Sequence, residues 1–343
     1  MSSSSVGDRV PREMLQAPGP RARREPVKSL ALARLKRAIV RQLPLFAVAT
    51  AVVTAIGVLY DVSGGVRWQA ASVFWLPLSA GAAFVVALVR ELGRNTITSI
   101  ASFGKNRAYA VLGAAPELTE SVLRQLPPDQ RSPLGCIAFQ PASAFATAFR
   151  DLQDTLSRER LIAFIASTPD EGATTAALCT AVAAAQQGRN VIIIDCDLRR
   201  RTLSRGFDLD PEAGVLEATE HPDSWRHYVE QEDETGLHIL PAARMRSPWR
   251  TLIGARGLPI LLQRLAQEYD LVVLDCPPAL GPSEGALIAG LASKTVVVTA
   301  WDRTPLRAVR AALRMLQRRE RSPAGVWVNR VPPGYRFGRL RGA

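Results

Sequence analysis

Two long apolar runs near the start of the chain give way, further along, to short apolar strings separated by longer amphipathic segments. The first run, "QLPLFAVATAVVTAIGVLY" between Arg41 and Asp61, holds nineteen residues without a charge. The second, "WQAASVFWLPLSAGAAFVVALV" between Arg67 and Arg90, holds twenty-two. At about 1.5 Å of rise per residue, each would span roughly 28–33 Å as a helix, close to the ~30 Å hydrocarbon core of a bilayer. The pattern therefore predicts a two-helix transmembrane hairpin over 42–90, against the alternative of two buried core helices. A signal peptide fits poorly, because the first run begins late and a second follows at once.

From about Ser143 the period changes. "LIAFIAS", "NVIIIDCD", "LHILP", "LVVLDCPP", "TVVVTA" and "GVWVN" read as buried strands. Helices are predicted between most of them, over Thr174–Gln187, Leu258–Tyr269, Ser283–Leu291 and Pro305–Arg319. Strands that are apolar throughout and alternate with helices imply an α/β fold, a mainly parallel sheet with helices on both faces. Binding sites in such sheets lie at the carboxyl ends of the strands.

Charge sharpens the outline. The net charge is +12, but residues 1–41 carry ten Lys/Arg against three acids, and residues 303–343 carry eleven Arg against Glu320. The ends are basic and the body mildly acidic, which suits contact with an anionic surface better than a nucleic-acid groove. Arg34, Lys36, Arg37 and Arg41 precede the first run, and Arg90, Arg94, Lys105 and Arg107 follow the second. The connecting "DVSGGVR" has only Asp61 and Arg67. The positive-inside rule then puts both termini in the cytoplasm, with Tyr60, Trp68 and Trp75 near the outer interface. Cys136, Cys179, Cys196 and Cys276 show no paired spacing, so neither a disulfide framework nor a zinc site is expected. Nor do His221, His227 and His238 have ligand spacing. Arg303, Arg307, Arg310, Arg314, Arg318 and Arg321 recur every three or four residues and line one helical face, as a solvated surface or as a contact for anionic lipid or an acidic partner.

Three strand ends carry candidate chemistry. "STPDEGATT", Ser167–Thr175, leads from an apolar strand into a helix, where backbone N–H groups and the helix dipole favour an anion. The alternative is an ordinary helix start capped by Ser167, Thr168 or Asp170. "IIIDCDLR" supplies Asp195, Asp197 and Arg199, with two carboxylates that could share one side of an extended chain. "VVLDCPP" supplies Asp275. An acid at the end of a buried strand is costly unless paired or metal-bound.

These motifs, in this order, resemble the bacterial tyrosine kinase (BY-kinase) family, the cytoplasmic part of polysaccharide co-polymerases within the wider MinD/ParA-like P-loop ATPases. The likeness extends through "SAFATAFRDLQDTL", "HILPAA", "GVWVNRV", "VRELGRNTITSI" and "AVLGAAPEL", from about residue 30 to 331. It implies a P-loop NTPase-like domain over 143–331, after a basic cytoplasmic segment (1–41), the hairpin (42–90) and a cytoplasmic linker region (91–142), and before a basic tail (332–343). By position, the backbone at Glu171, Gly172, Ala173, Thr174 and Thr175 would hold the phosphates of ATP or ADP. Thr174 and Asp195 would bind magnesium, Asp275 would hold it through water, and Asp195 and Asp197 would activate a tyrosine hydroxyl. Arg199 or Arg200 would reach in towards the nucleotide.

The sequence also departs from the family. The loop lysine is Ala173, and loss of one preorganised electrostatic donor typically costs ~3–4 kcal/mol of transition-state stabilisation. The C-terminal tyrosine cluster is reduced to Tyr335. The ring-forming E-x-x-R-x-x-R reads Thr147, Arg150, Gln153, and the external domain shrinks to "DVSGGVR". The resulting expectation is a bacterial inner-membrane protein of exopolysaccharide or capsule biosynthesis, serving as a non-catalytic scaffold or regulator with weakened nucleotide binding. Its expected partners are polysaccharide polymerase or export proteins, and a homo-oligomer or an active relative. The alternative within the family is an active tyrosine autokinase or weak ATPase. A DNA-binding positioning protein is disfavoured by the hairpin, the acidic body and the absence of an early loop lysine, so no nucleic acid is expected.

Overall fold

The computed structural model describes residues 44, 47–64, 75, 77–85, 96–97 and 110–333, apart from 234, 245–251, 253–255, 282–283 and 319–324. The chain divides into two compact units, Met1–Arg94 and Asn95–Ala343.

In the first unit, residues 47–63 and 77–85 are helical. The Thr54 and Ser79 hydroxyls hydrogen bond at 2.6 Å, and Trp75 Nε1 donates to Asp61 Oδ2 at 2.7 Å. Gly57 permits this packing, since a Cβ there would lie 2.2 Å from the Trp75 ring. Val48, Val52, Ile56, Leu59, Phe84 and Val85 are exposed. Among the described residues no helix is long and apolar enough to cross a membrane. The predicted spans over 42–60 and 68–89 run beyond the described residues at their ends.

The second unit is built on eight strands: β1 (Val111–Pro116), β2 (Leu161–Ala166), β3 (Val191–Asp195), β4 (Glu230–Gln231), β5 (His238–Leu240), β6 (Leu271–Cys276), β7 (Lys294–Ala300) and β8 (Gly325–Val331). Their spatial order is β1-β8-β7-β2-β6-β3-β5-β4, parallel except for the antiparallel pair β4 and β5. Each strand that the sequence predicts is present, and two more extend the edges. One of these, β1, comes from the segment read as a cytoplasmic linker region.

Helices cover both faces: α1 (Glu120–Leu123), α2 (Pro133–Phe139), α3 (Ala144–Thr155), α4 (Ala173–Gln186), α5 (Thr202–Gly206), α6 (Val215–Glu220), α7 (Leu258–Glu268), α8 (Gly285–Ala289) and α9 (Leu306–Gln317). Strand alternation sends Ile162, Phe164, Ile193 and Val273 towards α3 and α4. Ala163, Ile165, Ile192 and Leu274 point towards α6 to α9. Burying each such aliphatic chain contributes ~1.5–3 kcal/mol.

The helix sequences match their surroundings. α4, "ATTAALCTAVAAAQ", is small and apolar nearly all round and buried on most sides, as expected of a helix covered by a neighbour. It ends before Gly188, whose φ of +82° supplies a left-handed stop. On α9, Leu306, Val309, Leu313 and Leu316 are buried, while Arg303, Arg307, Arg310, Arg314 and Arg318 are exposed along and beside it. Arg321 and Tyr335 lie outside the described residues.

Candidate nucleotide site

The central strand β2 has β6 and β3 on one side and β7 and β8 on the other. The loop from its carboxyl end into α4 therefore sits where connections diverge to the two sides, the position at which open α/β sheets bind ligands.

The loop is held from beneath. Glu171 is buried, and its Oε2 accepts from the Ser167 N–H at 2.8 Å. Its Oε1 accepts from the hydroxyls of Thr168 (2.6 Å) and Thr304 (2.8 Å). Burial raises the carboxyl pKa, against the pull of those hydrogen bonds. Asn329 Nδ2, at the end of β8, donates to the carbonyls of Glu171 (3.2 Å) and Gly172 (3.0 Å), and Asn329 Oδ1 accepts from Trp327 Nε1 at 2.8 Å. Gly172 adopts φ +90°, and a Cβ there would meet Asn329 Nδ2 at 2.6 Å, so both backbone and space require glycine. Glu171 is thus a brace whose backbone lines the cleft.

Ser167, Thr168 and Asp170 do not cap α4. Its N-cap is Gly172, which makes no side-chain cap bond, and the start of the helix faces a cavity of about 240 Å³. Gly172, Ala173, Thr174 and Thr175 form its floor, and Asp197, Asp275, Arg200 and Arg330 contribute to its walls.

The two motif acids that stand side by side behave differently. Asp195 and Asp275 are in register on β3 and β6, both on the face towards α4. Asp195 is fully buried: its Oδ1 accepts from the Asp197 N–H at 3.1 Å, and its Oδ2 from Ser204 N (3.0 Å) and Ser204 Oγ (2.7 Å). Ser204 Oγ in turn accepts from the Ala242 N–H at 2.9 Å. Burial raises the Asp195 pKa, offset by these donors. Asp195 thus ties α5 and β5 to the end of β3 and is absent from the cavity lining. Asp275 is 2% exposed, lines the cavity, and accepts a hydrogen bond from the Thr174 side chain, yet among the described residues its Oδ1 has no partner. Burial, then the charges of Asp195 and Asp197, hold its carboxyl well above the ordinary range.

That orphaned oxygen, the Thr174 hydroxyl and Asp197 form an all-oxygen group of the kind a magnesium ion accepts alongside phosphate and water. Among the described residues no cluster of three or more His, Cys, Asp or Glu could hold a metal unaided. Asp197 Oδ1 also accepts from the backbone N–H groups of Arg199 (3.2 Å) and Arg200 (3.0 Å), which fixes the turn after β3. Arg199 is exposed and does not line the cavity. Arg200 does, and its Nη1 lies 3.1 Å from Asp170 Oδ1. Arg330, Thr304 and Asn329 are absent from the residues singled out in the sequence. For Asn329 and Arg330 the signal there is the "NR" pair closing the last apolar strand, and Thr304 has none.

Comparison with known proteins agrees with this geometry. Residues 159–317 match the AAA domain family model. The chain is 30% identical over 182 residues to the succinoglycan biosynthesis transport protein ExoP of Rhizobium meliloti, covering 50% of this chain and 23% of ExoP. It is 29% identical over 136 residues to the tyrosine-protein kinase YwqD of Bacillus subtilis, covering 40% of this chain and 57% of that one. The kinase domain of Escherichia coli tyrosine kinase ETK superposes with a TM-score of 0.60 at 21% identity, covering 70% of this chain and 97% of that domain, a likeness of fold. The match thus spans only about a quarter of the length of ExoP. Residues 159–317 form an AAA-type P-loop domain of the kind carried by proteins named as bacterial tyrosine kinases.

Proposed function

We propose that this chain is a membrane-anchored, BY-kinase-like protein of exopolysaccharide or capsule biosynthesis or export, whose P-loop domain binds ATP or ADP with magnesium and acts as a scaffold or regulator without transferring phosphate. The observation that carries the reading is Asp275 Oδ1, buried and partnerless among the described residues beside Thr174, at the mouth of a loop whose first helical residue is Ala173. The orphaned carboxylate calls for a cation, and the uncapped start of α4 calls for an anion. A magnesium ion bound there would neutralise charge on phosphate oxygens. Asp275 would orient it, directly or through water, and the Thr174 hydroxyl would hold it. Asp197, braced by the turn N–H groups, would receive a proton if a hydroxyl were presented. Phosphoryl transfer is mostly positioning and charge stabilisation, and Ala173 gives the loop no cation for the terminal phosphates.

Incubating the full chain with ATP and magnesium and probing for phosphotyrosine tests the scaffold reading. No signal is expected. A signal abolished by Asp197→Asn would establish the second reading, an active autokinase, for which Arg200 and Arg330 in the cavity wall speak. Anchoring in the inner membrane, with both termini and the P-loop domain in the cytoplasm, rests on the two apolar runs, their basic flanks and the exposed aliphatic residues of 47–63 and 77–85. Release of the chain from membranes by alkaline carbonate would refute it. Polymerase or export proteins, a second copy or an active relative are the proposed partners, from the pathway that the name of ExoP states.

A further inference from the structure

We propose that Arg330 is the phosphate-binding cation of this cleft, gripping the α-phosphate of a bound nucleoside di- or triphosphate from the side opposite the metal acids. The inference rests on the nucleotide reading above and adds to it a cation for the nucleoside-proximal phosphate.

Arg330 reaches the cavity through a local break in β8. On the β1 side, Ala114 pairs with Val328 and Pro116 with Val331, so two steps on β1 face three on β8. The extra residue is taken up where Arg330 adopts φ +59°, a left-handed conformation that residues other than glycine adopt rarely. Trp327 packs towards α4, and Asn329 reaches the underside of the loop. Regular alternation would send the next side chain to the other face of the sheet. The bulge instead brings Arg330 into the wall of the cavity floored by Gly172 and Thr174. Unfavoured backbone that re-aims a charged side chain into a cleft is the pattern expected of a binding residue.

Its electrostatic setting agrees. Among the described residues the Arg330 guanidinium has no ion pair or hydrogen bond, whereas Arg200, the other cation of the wall, is paired with Asp170 at 3.1 Å. Strand order separates the two flanks: Asp275 near the end of β6 and Asp197 after β3 lie on one side of the loop, where Arg200 is paired with Asp170, and Arg330 lies at the end of β8 on the other. The cleft is therefore acidic on one flank and basic on the other. A metal-bound polyphosphate has the matching polarity, with its metal-bearing end at the acids and its nucleoside-proximal phosphate at the arginine. A guanidinium offers such a phosphate paired N–H donors that alanine at 173 cannot.

The test is titration of the full chain in detergent with fluorescent ADP, with and without magnesium, and with adenosine. Arg330→Gln is expected to weaken ADP by about tenfold or more. The factor should be the same with magnesium and with chelator, and the same for a non-hydrolysable triphosphate, while adenosine binding is unchanged. Arg330→Lys should retain part of the affinity. Arg330→Gly, which relaxes the left-handed backbone, should lose as much as the glutamine variant with no loss of melting temperature. The proposal is overturned if Arg330→Gln binds ADP as tightly as the wild type. It is equally overturned if adenosine weakens in parallel, or if only the triphosphate is affected. A wild-type chain that binds no nucleotide at millimolar concentration removes the nucleotide reading itself, and this inference with it.

Discussion

Asp195 at the end of β3 and Asp275 at the end of β6 are register partners on adjacent strands, and each is followed by a cysteine. One has both oxygens taken by Ser204 and the turn at Asp197, while the other keeps an oxygen without a partner among the described residues, at the wall of a cavity. Both end an apolar run in the same register, so the difference arises from what folds back over each strand end. A buried carboxylate saturated by protein donors maintains the fold, whereas one left short of donors awaits a ligand.

Substitutions sharpen this contrast. Asp195→Ala removes the acceptor for three donors and leaves Ser204 and the Asp197 N–H unpaired in the interior. At ~1–3 kcal/mol per unmet group, partly relieved by relaxation, a loss of about 3 kcal/mol or more in unfolding free energy is expected, measured by denaturant titration. The complementary change, Asp275→Asn, should leave the ligand-free chain as stable or raise its melting temperature by about 2–4 °C per kcal/mol of relieved repulsion. It should also weaken magnesium-dependent nucleotide binding by about 10–100-fold. If both variants destabilise alike, the contrast between the two acids is lost.

Gly172→Ala tests the brace beneath the loop. Its Cβ would press on Asn329 Nδ2 in a left-handed backbone, and a loss of ~1–2 kcal/mol is expected by thermal unfolding. The smallest effect concerns pH. The Asp275 pKa is raised in the folded chain by burial and by Asp195 and Asp197. The folded state therefore holds this proton more tightly than the unfolded state, and ligand-free stability should fall as pH rises above the ordinary carboxylate range up to the folded-state value. Magnesium binding displaces the proton, so nucleotide affinity should rise over the same interval. Asp275→Asn should flatten both slopes.

The sheet was legible because its interior strands are apolar throughout and its helices carry their own signals, such as Gly188 after α4 and the buried leucine stripe of α9. β1 and the two-residue β4 were the exceptions. "VLGAAP" is short, rich in small residues and half-exposed, so it reads as connection until β8 pairs with it. The acids of the site were legible for the same reason as the strands, since a charge that ends an apolar run stands out. Their division of labour was not, because Ser204 reaches Asp195 only through the turn after β3. The loop brace was hidden by sequence distance: Thr304 is 133 residues from Glu171, and Asn329 is 157 from Gly172. Arg330 was masked by local regularity, since nothing in "GVWVNRV" announces a bulge.

The most direct test of the account is calorimetric titration of the full wild-type chain with ADP, in magnesium and in chelator, beside Asp275→Asn. The account predicts binding that magnesium strengthens in the wild type and no longer strengthens in the variant. Equal affinity with and without magnesium in both proteins, or no binding in either, would contradict it.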